Sequence, residues 1–203
     1  MLVDRGRGSV IVTPIAEQYT DRVPILRAPR AARIAVAAAF GINGIAGGNW
    51  VVRIPAIQER LDLNDALLGL ALLGMPLGAI LVMPLAGSWV ARHGSRPGVW
   101  IGTLAICAAV TLPGLAPNLL ALTLALVLFG VGNGIQDVSM NAHGVAVERR
   151  YGRTIMSSFH AFFSVGAMLG AISGGLVAEA GVSTRVHLIA VGMILAVVTL
   201  FVM

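Results

Sequence analysis

A chain of 203 residues that is 57% hydrophobic and only 11% charged, with a mean hydropathy of +0.88, is too apolar for a water-soluble domain. Its formal charge of +5 comes from fourteen arginines, with no lysine, against nine acids. A basic balance of this kind also suits nucleic-acid binding, but the arginines cluster on alternate sides of apolar stretches, so they read as membrane topology and no nucleic-acid partner is expected.

Residues 1–30 are polar, carry Pro14, Pro24 and Pro29, and lack the apolar core of a signal peptide. They are expected to form a disordered cytoplasmic tail. From Ala31 onward the chain reads as one six-helix transmembrane domain, residues 31–203. Its spans are expected at Ala31–Val52, Asp65–Val90, Val99–Leu115, Leu119–Met140 with the helix continuing to Val147, Ile155–Ala180 and Val186–Met203. Crossing a hydrocarbon core of about 30 Å takes roughly 20 apolar residues of helix. Helices are the form that pairs every backbone polar group within such a segment. The expected fold is therefore an all-α, polytopic membrane bundle whose main surroundings are the lipid bilayer.

Eleven arginines (Arg5, Arg7, Arg22, Arg27, Arg30, Arg33, Arg92, Arg96, Arg149, Arg150 and Arg153) lie before or at the start of the first span or in the second–third and fourth–fifth connections. Arg53, Arg60 and Arg185 lie on the other side. The positive-inside rule then places the N-terminus, both arginine-bearing connections and the C-terminus in the cytoplasm. A multi-pass protein of the plasma membrane, the inner membrane of a bacterium, is the expected location.

In the first span, Asn43, Gly47 and Trp50 share one side at spacings of four and three. An amide at Asn43 suits a hydroxylated solute. Trp50 suits either stacking on a sugar or marking the interface, and Arg53 suits either snorkelling or a gate contact. The second–third connection reads Gly87-Ser88-Trp89-Val90-Ala91-Arg92-His93-Gly94-Ser95-Arg96-Pro97. Cys107, the single cysteine, lies within the third span and reads as packing, with no disulfide framework and no metal cluster.

The fourth span carries Asn133, Gln136, Asp137 and Asn141, of which the first, third and fourth recur every four residues along one helical face. Asp137 is the one acid well inside a span, and such residues are functional candidates by default. It reads as the proton-coupling group or as a packed acid satisfied by its Asn and Gln neighbours. At 1.5 Å per residue it stands roughly 27 Å along the span from Leu119, nearer the cytoplasmic side. In the fifth span His160 follows the cytoplasmic connection and reads equally as a proton relay and as a packing histidine. Gly166, Gly170 and Gly174, with Gly175, form a stripe that admits a close helix neighbour. His143 and His93 read as interfacial, His187 lies near a helix end, and none has metal-ligand spacing.

Two short matches suggest duplication. Asn43-Gly44-Ile45 repeats as Asn133-Gly134-Ile135, and Leu77-Gly78-Ala79-Ile80 repeats as Leu169-Gly170-Ala171-Ile172, at offsets of 90 and 92 residues. They pair span one with four and span two with five. Three crossings reverse direction, so the duplicated unit gives two inverted three-helix repeats, as in many secondary transporters.

The loop sequence resembles the cytoplasmic signature G-x-x-x-D-R-x-G-R-R of the major facilitator superfamily, with Gly87, Arg92, Gly94 and Arg96 at matching positions. Ala91 stands where the family has an acid, and Ser95 where it has a basic residue. In the family that acid helps lock the two halves together, so the resemblance implies a weakened lock here. The fifth-span stripe resembles the antiporter signature, but Ala171 replaces its proline. The embedded arginine of many drug exporters is missing from the fourth span. Along Arg53-Ile54-Pro55, Leu67-Leu68-Gly69, Asp137 to Asn141 and Ser157-Ser158-Phe159-His160 to Gly166, the chain is similar to a bacterial branch near the fucose permeases. That resemblance implies proton coupling through a fourth-span carboxylic acid. It also implies a second homologous half, so the chain is expected to be the N-terminal six-helix half of the fold, partnered by a C-terminal half or a second copy.

The expected function is secondary active transport of a small polar solute, with a sugar favoured by the resemblance, by alternating access and proton symport. Asp137 and His160 are the coupling candidates, and Asn43, Trp50, Asn133, Gln136 and Asn141 the substrate-binding candidates. Two alternatives stand beside it: a non-transporting scaffold or decayed half-transporter, and a drug or metabolite exporter. No catalytic nucleophile–base pair, paired aspartates or H-E-x-x-H is present, so neither an enzyme nor a cofactor is expected.

Overall fold

The computed structural model describes residues 30–203. The expected tail, but for Arg30, lies outside the described residues. Among the described residues every regular element is helical: α1 (Arg30–Val51), α2 (Ile54–Arg60), α3 (Asp65–Leu72), α4 (Gly74–His93), α5 (Ser95–Ala109), α6 (Leu112–Leu115), α7 (Leu119–Tyr151), α8 (Met156–Glu179) and α9 (Thr184–Val202). They make six segments long and apolar enough to cross a bilayer: Arg30–Arg60, Asp65–His93, Ser95–Leu115, Leu119–Tyr151, Met156–Glu179 and Thr184–Val202.

Local chemistry explains the boundaries. Asn64 and Asn118 cap α3 and α7 by accepting from the backbone N–H groups of Leu67 and Ala121, both at 2.9 Å. Gly152 ends α7 in the left-handed region at φ 67°, and Gly94 turns the chain between α4 and α5 at φ 83°. The second span is two helices joined at Leu73 because Pro76, lacking an N–H, cannot donate to the carbonyl of Leu72. The fourth-span helix runs on to Tyr151, past the expected end near Val147. Its C-terminal end ties back to the start of α1, where Arg33 donates to the Tyr151 hydroxyl at 3.3 Å and its guanidinium stands 5.3 Å from the ring centre.

The inverted repeat is visible in how the helices cross. A β-carbon on Gly74 or Gly78 of α4 would meet the carbonyl oxygens of Thr123 or Val127 on α7. One on Gly166 or Gly170 of α8 would meet those of Gly41 or Ile45 on α1. These glycines keep the offset of 92 residues between the second and fifth spans. In return, Gly130 on α7 meets Met75 and Ala79, and Gly48 on α1 meets Ala167 and Ala171. Gly48 and Gly130 are 82 residues apart, so packing aligns the first and fourth spans two turns away from the Asn-Gly-Ile match. The reason is steric: the closest approach of two helices falls where the β-carbon is missing.

Two apolar clusters fill the bundle. One gathers Ile42, Trp50, Ile106, Leu122, Leu126, Phe129 and Leu188, and the other Val36, Phe40, Val99, Met140, Val147 and Phe159. Helices α4 and α8 leave broad apolar faces uncovered, with Leu77, Ile80, Leu81 and Leu85 on the first and Met168, Leu169, Ile172 and Leu176 on the second, all more than half exposed.

Candidate functional site

The polar side chains of α1 and α7 meet at mid-bundle. Gln136 is fully buried, and Gly102 lets the backbone of α5 lie directly against it. Its Nε2 donates to the Ala39 carbonyl and to Thr103 Oγ1, both at 3.0 Å, and its Oε1 accepts from Asn43 Nδ2 at 3.0 Å. Thr103 passes its own proton to the Val99 carbonyl at 2.8 Å. Asn43 Nδ2 also donates to Asn133 Oδ1 at 3.1 Å. The network therefore joins three spans and fixes each amide by matching donors to acceptors.

This network borders a cavity of about 270 Å³ whose walls are Phe40, Asn43, Gly47, Met75, Phe129, Asn133, Asp137, Met140, His160 and Phe163. Among the described residues, Asn43 Oδ1 and Asn133 Nδ2 carry no hydrogen bond, which leaves an acceptor and two donors available at the wall. One turn further along α7, Asp137 lines the same cavity and accepts from Asn141 Nδ2 at 3.1 Å, while that nitrogen also donates to the Asp137 carbonyl at 2.8 Å. His160 comes in from α8 and packs edge-on against Phe40, ring centres 5.1 Å apart. The arrangement can hold a small hydroxylated molecule between amides, an acid, an imidazole and aromatic walls.

Four of the sequence-derived candidates thus share one cavity: Asn43, Asn133, Asp137 and His160. The other three stand back from it. Gln136 is behind the wall, orienting Asn43. Asn141 is held on Asp137. Trp50, 3% exposed, lies in the apolar core with its ring edge-on to Phe129 at 6.4 Å. Phe40, Gly47, Met75, Phe129, Met140 and Phe163 complete the cavity wall, but in an apolar sequence nothing sets the aromatic and methionine side chains apart from core or lipid-facing residues. Thr103 is equally silent in sequence, because its partner lies 33 residues away on another span.

In the loop signature, Arg92 and Arg96 are exposed, Gly94 makes the turn, and Gly87 faces open space. Ser95, which replaces the family's basic residue, bonds His143 Nδ1 at 3.0 Å and so fastens the connection to α7. Gly166, Gly170 and Gly174 lie against α1, the last beside Asn49.

A family profile described as Major Facilitator Superfamily matches residues 10–203. The chain is 40% identical over 133 residues to an uncharacterised MFS-type transporter of Yersinia pestis, covering 66% of this chain and 35% of that protein. It is 39% identical over 139 residues to an uncharacterised transporter of Sinorhizobium fredii, covering 68% and 37%. To the membrane protein MosC of Rhizobium meliloti it is 37% identical over 145 residues, covering 71% and 36%. The matches therefore span a little over a third of the length of these relatives. With six membrane-length helices, an inverted repeat and a profile match over nearly its whole length, this chain belongs to the major facilitator superfamily.

Proposed function

We propose that the chain is the N-terminal half of a secondary transporter that moves a small polar solute, of which a sugar is the class favoured, by alternating access coupled to protons. The cavity at mid-bundle carries this reading. Asn43 and Asn133 offer it unpaired amide atoms, Asp137 and His160 are the titratable groups on its wall, and Phe40, Phe129 and Phe163 give it apolar faces. Sugars are recognised by that mixture of amides and aromatic faces. A C-terminal half, or a second copy, covers the open side of the cavity and the bare faces of α4 and α8. The protein sits in the plasma membrane with its N-terminus in the cytoplasm.

In this reading Asp137 takes a proton from one side of the membrane and releases it when the cavity faces the other. Asn141 orients the carboxyl, and His160 stands across the cavity as a relay or as a donor to substrate. The test is Asp137→Asn in the complete transporter built on this chain. The variant keeps size and hydrogen bonding and loses titration. Proteoliposomes should lose accumulation driven by an imposed pH gradient and keep counterflow of labelled solute. Accumulation at the parental level would remove Asp137 from the coupling role, and the absence of saturable uptake of any polar solute by the parent would remove the transport reading itself.

A further inference from the structure

A second polar chain links the last turn of α1 to the first turn of α9. Arg53 Nε donates to His187 Nδ1 at 2.8 Å, His187 Nε2 faces Asn49 Oδ1 at 3.0 Å, and Asn49 Nδ2 donates to the Ile45 carbonyl at 2.9 Å. The carbonyl fixes the amide: its nitrogen is already turned to Ile45, so its oxygen meets the imidazole and must receive an N–H. The guanidinium fixes the other side, because it can only donate and Nδ1 must therefore present a lone pair. One state of His187 satisfies both, the neutral ring with its proton on Nε2.

All three residues are buried, Asn49 at 2%, Arg53 at 4% and His187 at 5% exposure, and Arg53 Nη2 has no hydrogen-bond partner. A cavity of about 310 Å³ between α1, α8 and α9, lined by Ile45, Asn49, Ser173, Val186 and His187 among others, reaches the imidazole. In the halves of the surrounding elements nearest this end, the charged or titratable groups are Arg53, Glu59 and Arg60 at the end of α1 and on α2, Cys107 on α5, Glu179 on α8 and Arg185 on α9 itself; Arg30, Arg33, Arg96 and His160 lie in the opposite halves of α1, α5 and α8. Glu59, Glu179 and Arg185 are exposed, Arg60 is committed to the Gly114 and Pro113 carbonyls at 2.9 and 3.2 Å, and Cys107 faces Thr199. Among the described residues no carboxylate bonds to His187 or Arg53, so nothing there offsets a second positive charge.

We propose that His187 is a proton-binding site that latches the end of the first span to the sixth: the neutral ring holds Arg53, and a proton bound at Nδ1 releases it. The incoming proton takes the lone pair that Arg53 Nε uses and sets two cations side by side. At that separation like charges repel, and the guanidinium cannot lose its own charge. The latch is independent of the role given to Asp137, which lies in a different cavity.

The test places spin labels at Ala56→Cys and Met193→Cys in the complete transporter built on this chain, in nanodiscs; Cys107 is buried and stays unlabelled. The expected result is one narrow distance distribution at about pH 8 that broadens and lengthens at about pH 5, together with the ¹⁵N signature of a His187 imidazolium, within the range where histidine titrates. In His187→Gln the distance should be the same at both pH values. A distance that stays fixed while the ring protonates, a ring that stays neutral throughout, or an acid response that survives in His187→Gln would each overturn the proposal. Where the Gln variant does not assemble, the paired distance and ¹⁵N readings on the parent chain decide.

Discussion

Asn43 of α1 and Asn133 of α7, both counterparts in the sequence repeat, bond to each other across 3.1 Å, with Asn43 Nδ2 shared between Asn133 Oδ1 and Gln136 Oε1. The two residues that first suggested duplication are therefore contact partners. Their hydrogen bond joins the two inverted units at the wall of the cavity, where Asp137 lies one turn further on.

The pair should be coupled energetically. Asn43→Ala and Asn133→Ala, singly and together, form a double-mutant cycle whose interaction energy should be about 0.6 kcal/mol, the scale of interhelical hydrogen bonds in membrane proteins. Thermal unfolding in detergent measures it. Strict additivity would show that the bond contributes nothing to holding the repeats together.

Gln136 should matter more for stability than for direct contact with solute. Replacing it with leucine leaves one hydrogen of Asn43 Nδ2 without an acceptor and takes a donor from Thr103 Oγ1, at a cost of about 1–3 kcal/mol for a buried polar group left unpaired. Solute affinity should fall through misorientation of Asn43, and Asn43→Ala should then add little to it. Additive affinity losses in the double variant would place Gln136 in the binding surface itself.

Glycines at the crossings should differ sharply from those beside them. Gly48→Ala and Gly130→Ala force a β-carbon onto the backbones of Ala167 and Met75, and overpacking of this kind costs about 1–3 kcal/mol. Gly47→Ala and Gly175→Ala, which face open space within their helices, should leave the melting temperature unchanged or raise it slightly, since alanine restricts the unfolded chain more than glycine. Equal melting of all four variants would mean that the helices separate at little cost.

The arginine asymmetry sets the expected topology. Cysteines at the exposed positions Glu59 and Pro117 should react with an impermeant reagent in intact cells, and those at His93 and Thr154 only after permeabilisation. Native Cys107 is 3% exposed and gives little background. Labelling of His93→Cys in intact cells would reverse the orientation.

Ala91 stands where the loop signature has an acid, beside the exposed Arg92. In the complete transporter, Ala91→Asp should favour the state closed to the cytoplasm by restoring a carboxylate able to engage the other half. Cysteines lining the cytoplasmic side of the cavity should then label more slowly than in the parent. Equal rates would mean that this position plays no part in closure.

The six spans were legible in the sequence because crossing a bilayer is a local requirement: some 20 apolar residues in a row and a bias of arginine to one side are written without reference to any other segment. The polar face of the fourth span was legible for the same reason, since Asn133, Asp137 and Asn141 recur at the helical spacing within one segment. What the segment could not contain was its partner. Asn43 reaches Gln136 across 93 residues and Arg53 reaches His187 across 134, so which amide lines the cavity, which one braces it and which histidine meets a guanidinium were decided only when the helices packed. Trp50 shows the same limit, because its helical face was readable but the presence of Phe129 behind it was not. Even the repeat needed the third dimension: identical triplets marked an offset of 90, whereas the register of the first and fourth spans is fixed at Gly48 and Gly130, where a missing β-carbon lets two backbones touch.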